Sequence, residues 1–260
     1  MPVEVSLEMF AEGSVLLPRF TGYVSRGLFL HMLRVVDPSV SSSLHEPGRV
    51  KPYSVTPLWF RKGMRCEGGY LLDAGSWCRV GFRFLDDGLA SLFLKYLYER
   101  DSVLIYDVVF RIGSVSVRSE GYGDLLDGVG DAAASLGLRF LTPTYLAVLG
   151  TEYHYMFPDQ GRVFMNLMRL WNAFSDGRRF TEEEQKGYLR WLTANVGVSK
   201  YRLETRMVRM RDKKAAGFMG WITYELRDGG EWNRITQMLA RYAEYSNVGG
   251  NRTGGFGVTK

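Results

Sequence analysis

The feature of this sequence that most constrains its fold is the order in which strand-like and helix-like apolar patterns follow one another. Residues 3–9 alternate apolar and polar side chains, as in a half-buried strand, and residues 23–36 repeat apolar side chains at helical spacing. Two strands, a helix and a further strand are predicted next, at 53–61, 78–85, 89–99 and 103–117. This order predicts a βαββαβ unit, in which two helices cover one face of an antiparallel sheet.

The same order recurs in the second half of the chain with one additional helix. The predicted elements are a strand at 138–141, helices at 163–174 and 182–193, strands at 198–211 and 215–226, a helix at 232–245 and a final strand at 256–259. We therefore predict an α+β protein of two tandem ferredoxin-like, or RRM-like, domains. They span residues 1–120 and 138–260, and residues 121–137, rich in Gly, Asp and Ala, form the linker.

Composition excludes several classes of protein. No apolar stretch approaches the roughly 18 residues of a membrane span, and the first residues lack the basic and apolar regions of a secretion signal. Two cysteines, Cys66 and Cys78, are too few for a disulfide scaffold. We expect both as reduced core residues, with a bridge across a hairpin as the alternative. A cytoplasmic protein without a membrane partner is predicted.

A glycine-rich segment at residues 247–257 links a predicted helix to the last predicted strand. Glycine has no Cβ and tolerates positive φ, so such a backbone can approach a phosphate and direct several N–H groups at it. Because the glycines follow a helix, a Walker loop and a dinucleotide fingerprint are excluded. A glycine-rich turn that merely ends the helix is the alternative. The predicted phosphate-binding residues are Gly249, Arg252, Gly255 and Gly257.

A predicted strand and hairpin before this segment are strongly basic. Residues 200–214 include seven basic and two acidic side chains, and the whole chain has a net charge of +5. Even positions of the strand form a basic face, while Tyr201, Leu203 and Thr205 are expected to pack on the other face. The alternation of side chains between the two faces of this strand is expected to shift after Met207. We predict a phosphate-binding surface, with an ordinary solvated strand face as the alternative. Its predicted contacts are Lys200, Arg202, Arg206, Arg209 and Arg211.

The spacing of the glycine-rich segment resembles the signature of the repeat-associated RNA-binding superfamily of CRISPR systems. Val248-Gly249 is followed by five residues, one of them basic, and then by Gly255-Phe256-Gly257; Asn247 replaces the usual first glycine. The segments 44–46 and 51–58, after the first helix, are similar to the pre-crRNA processing endoribonuclease, CRISPR-associated protein six. Segments 140–144 and 217–220 complete the resemblance in the family's order. It implies two ferredoxin-like domains and a basic hairpin that engages repeat RNA.

The resemblance also implies a catalytic site in the N-terminal half. It places the catalytic histidine at His45, in a polar loop after the first helix, and a cationic partner at Lys51. Polar loops of this kind carry function more often than packing. A solvated loop histidine and a lysine that only screens phosphate charge are the alternatives.

The third catalytic position departs from the family. Relatives place a tyrosine on the first helix where this chain has Leu30, and Tyr23 and His31 are the candidates to replace it. A buried, hydrogen-bonded His31 is the alternative. His154 has no counterpart in the family, and a loop or packing role is expected for it. Tyr201 and Trp221 are expected either to stack on unpaired bases or to lie in the core.

The resemblance implies an endoribonuclease, and we expect it to need no metal and no cofactor, since the histidines do not form a metal-ligand cluster. A base deprotonates the 2′-OH, the alkoxide attacks the adjacent phosphorus, and an acid protonates the leaving 5′ oxygen. The products carry a 2′,3′-cyclic phosphate and a 5′-hydroxyl. The expected partner is CRISPR repeat RNA, precursor and mature. A non-cutting crRNA-binding subunit of a CRISPR effector complex and an RNA binder outside CRISPR systems are the alternatives, and homodimerisation is open.

Overall fold

The computed structural model describes residues 1–46, 48, 50–148, 150–210 and 213–260. The chain divides into two compact units. The N-terminal unit comprises Pro2–Ser119 and Thr253–Gly255, and the C-terminal unit comprises Glu120–Arg252, Phe256–Lys260 and Met1. Among the described helices, none combines the length and the apolar character that crossing a membrane requires.

The N-terminal unit contains a main antiparallel sheet, a smaller three-stranded sheet and the helices that pack against them. Its strands are β1 (Val3–Ala11), β2 (Val15–Pro18), β3 (Tyr53–Val55), β4 (Trp59–Phe60), β5 (Met64–Cys66), β6 (Gly69–Leu72), β7 (Trp77–Phe84), β8 (Ser102–Ile105) and β9 (Val108–Ser119). Its helices are α1 (Gly22–Val36), α2 (Pro38–Ser43) and α3 (Asp87–Glu99).

The main sheet of this unit has the strand order β3-β7-β1-β9-β8, with β4 also paired to β7. Alternate residues of β1 are buried, because one face of the sheet packs against α1 and α3. Phe29 of α1 anchors this packing, with its ring centroid 4.2 Å from that of Tyr53 and 5.7 Å from that of Phe93 in α3. The order of the four principal strands is that of a ferredoxin-like fold, which confirms the prediction.

Two predicted strands of this unit are each divided in the structure. The strand predicted at 103–117 is the hairpin β8-β9, which turns at Tyr106, a residue with φ of 53°. The strand predicted at 53–61 is interrupted at Pro57, which has no N–H to donate, and continues as β4. The small sheet of β2, β6 and β5 has no counterpart in the prediction.

The C-terminal unit repeats the fold with longer strands. Its strands are β10 (Ser135–Thr144), β11 (Leu146–Ala147), β12 (His154–Tyr155), β13 (Val196–Met210) and β14 (Lys213–Leu226). Its helices are α4 (Tyr122–Asp127), α5 (Gln160–Phe174), α6 (Glu182–Asn195) and α7 (Glu231–Ser246), and a 3-10 turn at Arg252–Gly254 follows α7 in the chain. The segment predicted as a linker, residues 121–137, contains α4 and the start of β10.

The main sheet of this unit has the order β10-β14-β13, and the C-terminal residues pair along the free edge of β10. Phe140 bridges to Thr259, and Arg139 exchanges backbone hydrogen bonds of 2.9 and 3.0 Å with Lys260. Helix α5 covers one face, where Phe164 packs on Tyr224 at 5.5 Å between ring centroids. When the C-terminal segment beside β10 is counted as the fourth strand, the order of the strands across the sheet is again that of a ferredoxin-like fold.

Helix boundaries follow from identifiable side chains. Thr181 and Glu184 form a reciprocal capping box at the start of α6, and Asp159 caps α5 by accepting from Arg162 N at 2.9 Å. Thr21 immediately precedes α1, but its hydroxyl donates to the Leu58 carbonyl at 2.9 Å instead of capping the helix. This bond ties the start of α1 to the segment before β4.

Both cysteines are free thiols. Cys78 is buried in β7 opposite Met9, and burial raises the pKa of its thiol to about 12. Cys66 is half-exposed in β5 opposite Gly69, so the prediction of a core position holds for Cys78 alone.

We expect Gly257→Ala to lower the free energy of unfolding by at least about 2 kcal/mol. Gly257 has a φ of 67°, and a Cβ there would lie 1.8 Å from the Val248 carbonyl oxygen. Gly187→Ala is the matched control, because a Cβ in the middle of α6 meets nothing within 4 Å and should stabilise by about 0.5–1 kcal/mol. Urea denaturation measures both, and equal stability of Gly257→Ala and wild type would contradict the expectation.

Candidate functional site

Helix α1 presents two predicted catalytic residues on its outer side. Tyr23 and His31 lie two helical turns apart, and both are half-exposed, so His31 is not the buried residue of the alternative interpretation. Arg34 Nη2 lies 3.3 Å from His31 Nδ1. Because a guanidinium only donates, Nδ1 accepts and the neutral ring carries its proton on Nε2. Leu30 is 7% exposed and belongs to the core, so its side chain is directed away from this surface.

His45 lies in the turn after α2, and its side chain is exposed. Helix α2 is anchored at its start, where the Asp37 carboxylate accepts hydrogen bonds from Ser39 N at 2.9 Å and from the Ser39 hydroxyl at 2.6 Å. The bond from the Ser39 hydroxyl is the main reason that the pKa of Asp37 is lowered. The Ser41 hydroxyl donates to the Leu30 carbonyl at 3.0 Å, which ties α2 to α1. An anchored helix therefore presents His45 to solvent.

Lys51 closes the loop that begins at His45. Its ammonium donates to the backbone carbonyl of Glu46, the residue after His45, and its side chain is half-buried. Pro47 and Arg49 lie outside the described residues. The hydrogen bond holds a positive charge beside the stretch of chain that carries His45, which is where a cation could act on a phosphate.

A line of basic and aromatic side chains crosses the sheet of the C-terminal unit on the face opposite α5. The register pairs Arg202 of β13 with Trp221 of β14, Trp221 with Arg139 of β10, and the backbone of Arg139 with that of Lys260. Directly paired residues project from the same face of a sheet, so the four side chains lie in one line. We call Lys260, Arg139, Trp221 and Arg202 the cross-sheet row.

The cross-sheet row is accessible and positively charged. Trp221 is 39% exposed, and the three cations are exposed. Within the described part of the chain, no acidic side chain forms an ion pair with these cations, whereas Arg206 on the same face is paired with Glu204 at 2.8 Å. An indole ring between such cations suits a single-stranded nucleic acid, whose bases stack and whose phosphates need neutralising.

The basic strand β13 differs in two ways from the prediction. Tyr201 is 60% exposed and Thr205 is exposed, because β13 is an edge strand; Tyr201 packs on Phe157, at 5.6 Å between ring centroids. The shift of register lies between Val198 and Lys200, not after Met207. The side chain of Arg209 therefore projects from the face opposite Lys200, Arg202 and Arg206. Arg211 lies outside the described residues.

Most of the glycine-rich segment, residues 247–252 and 256–257, is folded tightly into the C-terminal unit. Its backbone N–H groups at Val248, Gly250 and Gly257 donate to protein carbonyls at 2.8–3.1 Å, and that of Gly249 donates to Asn166 Oδ1 at 2.9 Å. These N–H groups are engaged within the protein and not directed at a vacant phosphate site. Contact with RNA by this segment stays a prediction.

The predicted phosphate-binding residues of this segment differ in exposure. Gly249 is half-exposed, whereas Gly255 and Gly257 are buried. Arg252 is 7% exposed, and its Nη1 donates to the Ser246 carbonyl at 2.7 Å. The guanidinium therefore holds the end of α7 in this structure, and its predicted phosphate contact would need exposure that the structure does not show.

Neither unit brings candidate metal ligands together. Of the residues that the structure describes, no three His, Cys, Asp or Glu side chains group closely enough to hold a metal ion.

Two members of the cross-sheet row were not predicted. Arg139 and Lys260 are isolated basic residues in the sequence, and they join Arg202 only through the pairing of three distant strands. Alternation around the buried Leu138 and Phe140 would have placed Arg139 on the open face, but no local pattern shows which strands flank it.

Comparisons of the sequence and of the structure with known proteins point to the same family. A protein-family model described as CRISPR-associated endoribonuclease Cas6 matches residues 138–259. CRISPR-associated endoribonuclease Cas6 of Streptococcus thermophilus is 26% identical over 177 residues, 67% of this chain and 71% of that protein. A solved Cas6 product complex is similar with a TM-score of 0.82 and 26% identity, over 100% of this chain and 98% of that chain. Thermus thermophilus Cas6 gives a TM-score of 0.75 and 25% identity, over 100% and 97% of the two chains.

Proposed function

We propose that this chain is an endoribonuclease of the Cas6 type, to which its sequence and structure are similar, and that it binds precursor CRISPR RNA and cleaves it within the repeat. The observation that carries the proposal is the exposed His45, presented by an anchored helix beside a loop that Lys51 closes. One similar solved structure is a Cas6 product complex and the similar Streptococcus thermophilus protein is an endoribonuclease, which together support RNA as the substrate of this chain.

We further propose that cleavage proceeds through the 2′-OH of the substrate and requires no metal ion. A base takes the 2′-OH proton, the O2′–P bond forms, the P–O5′ bond breaks, and an acid protonates the leaving oxygen. The products are a 2′,3′-cyclic phosphate and a 5′-hydroxyl. His45 supplies one proton transfer, because imidazole can serve as either acid or base near neutral pH. Lys51 stabilises the charge that develops on the phosphorane.

The first helix supplies the third group. The Nε2–H of His31 is a hydrogen-bond donor, given that Nδ1 accepts from Arg34, and Tyr23 offers a phenol two turns away on the same side of α1. Either could position the scissile phosphate or take part in proton transfer. The hydrogen bond from Arg34 fixes the tautomer of His31.

RNA binding is proposed for the open face of the C-terminal sheet. The cross-sheet row and the neighbouring Lys200 provide cations around one exposed indole ring. Arg206 is a weaker candidate because Glu204 already neutralises part of its charge, and Arg209 would contact RNA only on the other face of β13.

The mechanism predicts that a single 2′-deoxy substitution at the scissile nucleotide abolishes cleavage of repeat RNA while binding persists. The substitution removes the nucleophile and leaves the phosphate charge unchanged. Single-turnover assays in EDTA should show full cleavage of the all-ribose RNA. A deoxy substitution one nucleotide away is the matched control and should be cut at the ordinary rate. Cleavage of the scissile-deoxy RNA, or loss of activity in EDTA, would contradict the mechanism.

A further inference from the structure

His154 and Tyr145 form a stacked pair on the C-terminal unit that the proposed reaction does not use. The ring centroids lie 3.9 Å apart with an interplanar angle of 12°. Tyr145 is half-exposed, and His154 is exposed. His154 lies on β12, which pairs with β11 so that His154 faces Ala147. One flat face of the pair is therefore available at the surface.

The glycine-rich segment packs closely against the ring of Tyr145. A Cβ on Gly250 would lie 2.3 Å from Tyr145 Cε2, so the bare glycine lets the segment close against the ring. The backbone N–H of Gly250 donates to the Tyr145 carbonyl at 2.9 Å, and the ring of Phe256 meets that of Tyr145 edge-on at 5.8 Å. The stacked pair is thus fixed in orientation before any ligand arrives.

Cations border the same surface. The side chain of Asn166 in α5 accepts a hydrogen bond from the N–H of Gly249. Arg162 and Arg169 lie one turn before and one turn after Asn166, on the same side of the helix. Both arginines are exposed. Arg162 lies 4.3 Å from the ring centroid of Tyr155, the residue after His154. Asp159 occupies the N-cap of the same helix, and its carboxylate accepts from Arg162 N.

We propose that the stacked pair of His154 and Tyr145 is a platform for one unpaired nucleobase of the RNA, with Arg162 and Arg169 contacting the flanking phosphates. The proposal rests on the proposed RNA-binding function. A base stacked on His154 would extend the pair to three rings, and aromatic platforms recognise unpaired bases in this way. Because α5 covers the face of the sheet opposite the cross-sheet row, the platform is a separate contact that can be removed independently.

The test uses repeat RNA made resistant to cleavage by a scissile 2′-deoxy nucleotide and labelled with 2-aminopurine at each unpaired position in turn. In the wild-type complex one position should be quenched by stacking. His154→Ala should abolish that quenching and raise the Kd by about fivefold or more. His154→Phe, which keeps a flat ring, should remain within about twofold of wild type. Tyr98→Ala removes an aromatic ring that is 93% exposed elsewhere and should change neither value.

Two results distinguish this proposal from the proposed function. The platform would be overturned if the His154→Ala complex showed the same quenching as the wild-type complex at every labelled position and had an unchanged Kd. This conclusion would hold whatever the cleavage assay shows. Failure of the wild-type protein to cut unmodified repeat RNA would overturn the nuclease function and leave the quenching assay as an independent test of the platform.

Discussion

His45→Ala is expected to lower the single-turnover rate of repeat RNA cleavage by roughly two to four orders of magnitude, the usual contribution of a general acid or base. Its RNA affinity should change little. The side chain is exposed and makes no contribution to the core, and the turn that carries it is anchored by Asp37 and Ser41. The variant should therefore fold normally, so that a loss of rate reports on chemistry.

His31→Ala is the matched control for His45→Ala, because both remove one surface imidazole from the N-terminal unit. A smaller loss in His31→Ala is expected if His45 is the principal acid or base. A larger loss would move that role to α1. Unchanged cleavage by His45→Ala would remove His45 from the mechanism.

Neutralising the cross-sheet row should have the second-largest effect, and it should act on binding. We expect the triple variant Arg139→Gln, Arg202→Gln and Lys260→Gln to reduce the slope of log affinity against log salt by about two. Each phosphate of a single strand that the protein neutralises adds about 0.7 to that slope, and the variant removes three cations. Affinity at low salt should fall accordingly, while the cleavage rate at saturating protein stays near the wild-type value.

A second triple variant that removes the same number of positive charges distinguishes an effect of the cross-sheet row from an effect of the net charge of the protein. Lys95, Lys186 and Arg190 are exposed, and Lys186 and Arg190 lie on α6, away from the cross-sheet row. Replacing all three with Gln should leave most of the salt dependence intact. Equal losses in the two triple variants would show that only net charge matters. An unchanged slope in the cross-sheet variant would place the RNA elsewhere.

Local patterns predicted the elements whose periodicity is long and clear. Helices α1, α5 and α7 and the pair β13-β14 lie within a few residues of their predicted bounds, because an amphipathic face of three or more turns or a long alternation leaves a strong signal. The hairpin β8-β9 was predicted as one strand, because Tyr106-Asp107 carries no glycine to mark the turn.

The candidate site was less accessible to sequence reasoning, for two physical reasons. The register between distant strands, which brings Arg139 and Lys260 beside Trp221, depends on tertiary pairing that no short segment specifies. The glycine-rich segment was interpreted as a phosphate-binding backbone. In the structure, Gly250 and Gly257 admit a tyrosine ring and a carbonyl of the protein itself. Sequence shows that something approaches a glycine closely, but not what approaches it.

The most direct test of the proposed reaction is the identity of the ends that wild-type protein leaves on repeat RNA in EDTA. Mass spectrometry of the two fragments should find a 2′,3′-cyclic phosphate on the upstream fragment and a 5′-hydroxyl on the downstream fragment. A 3′-hydroxyl with a 5′-phosphate would contradict attack by the 2′-OH. Tight binding with intact RNA would instead identify a binding protein that does not cut.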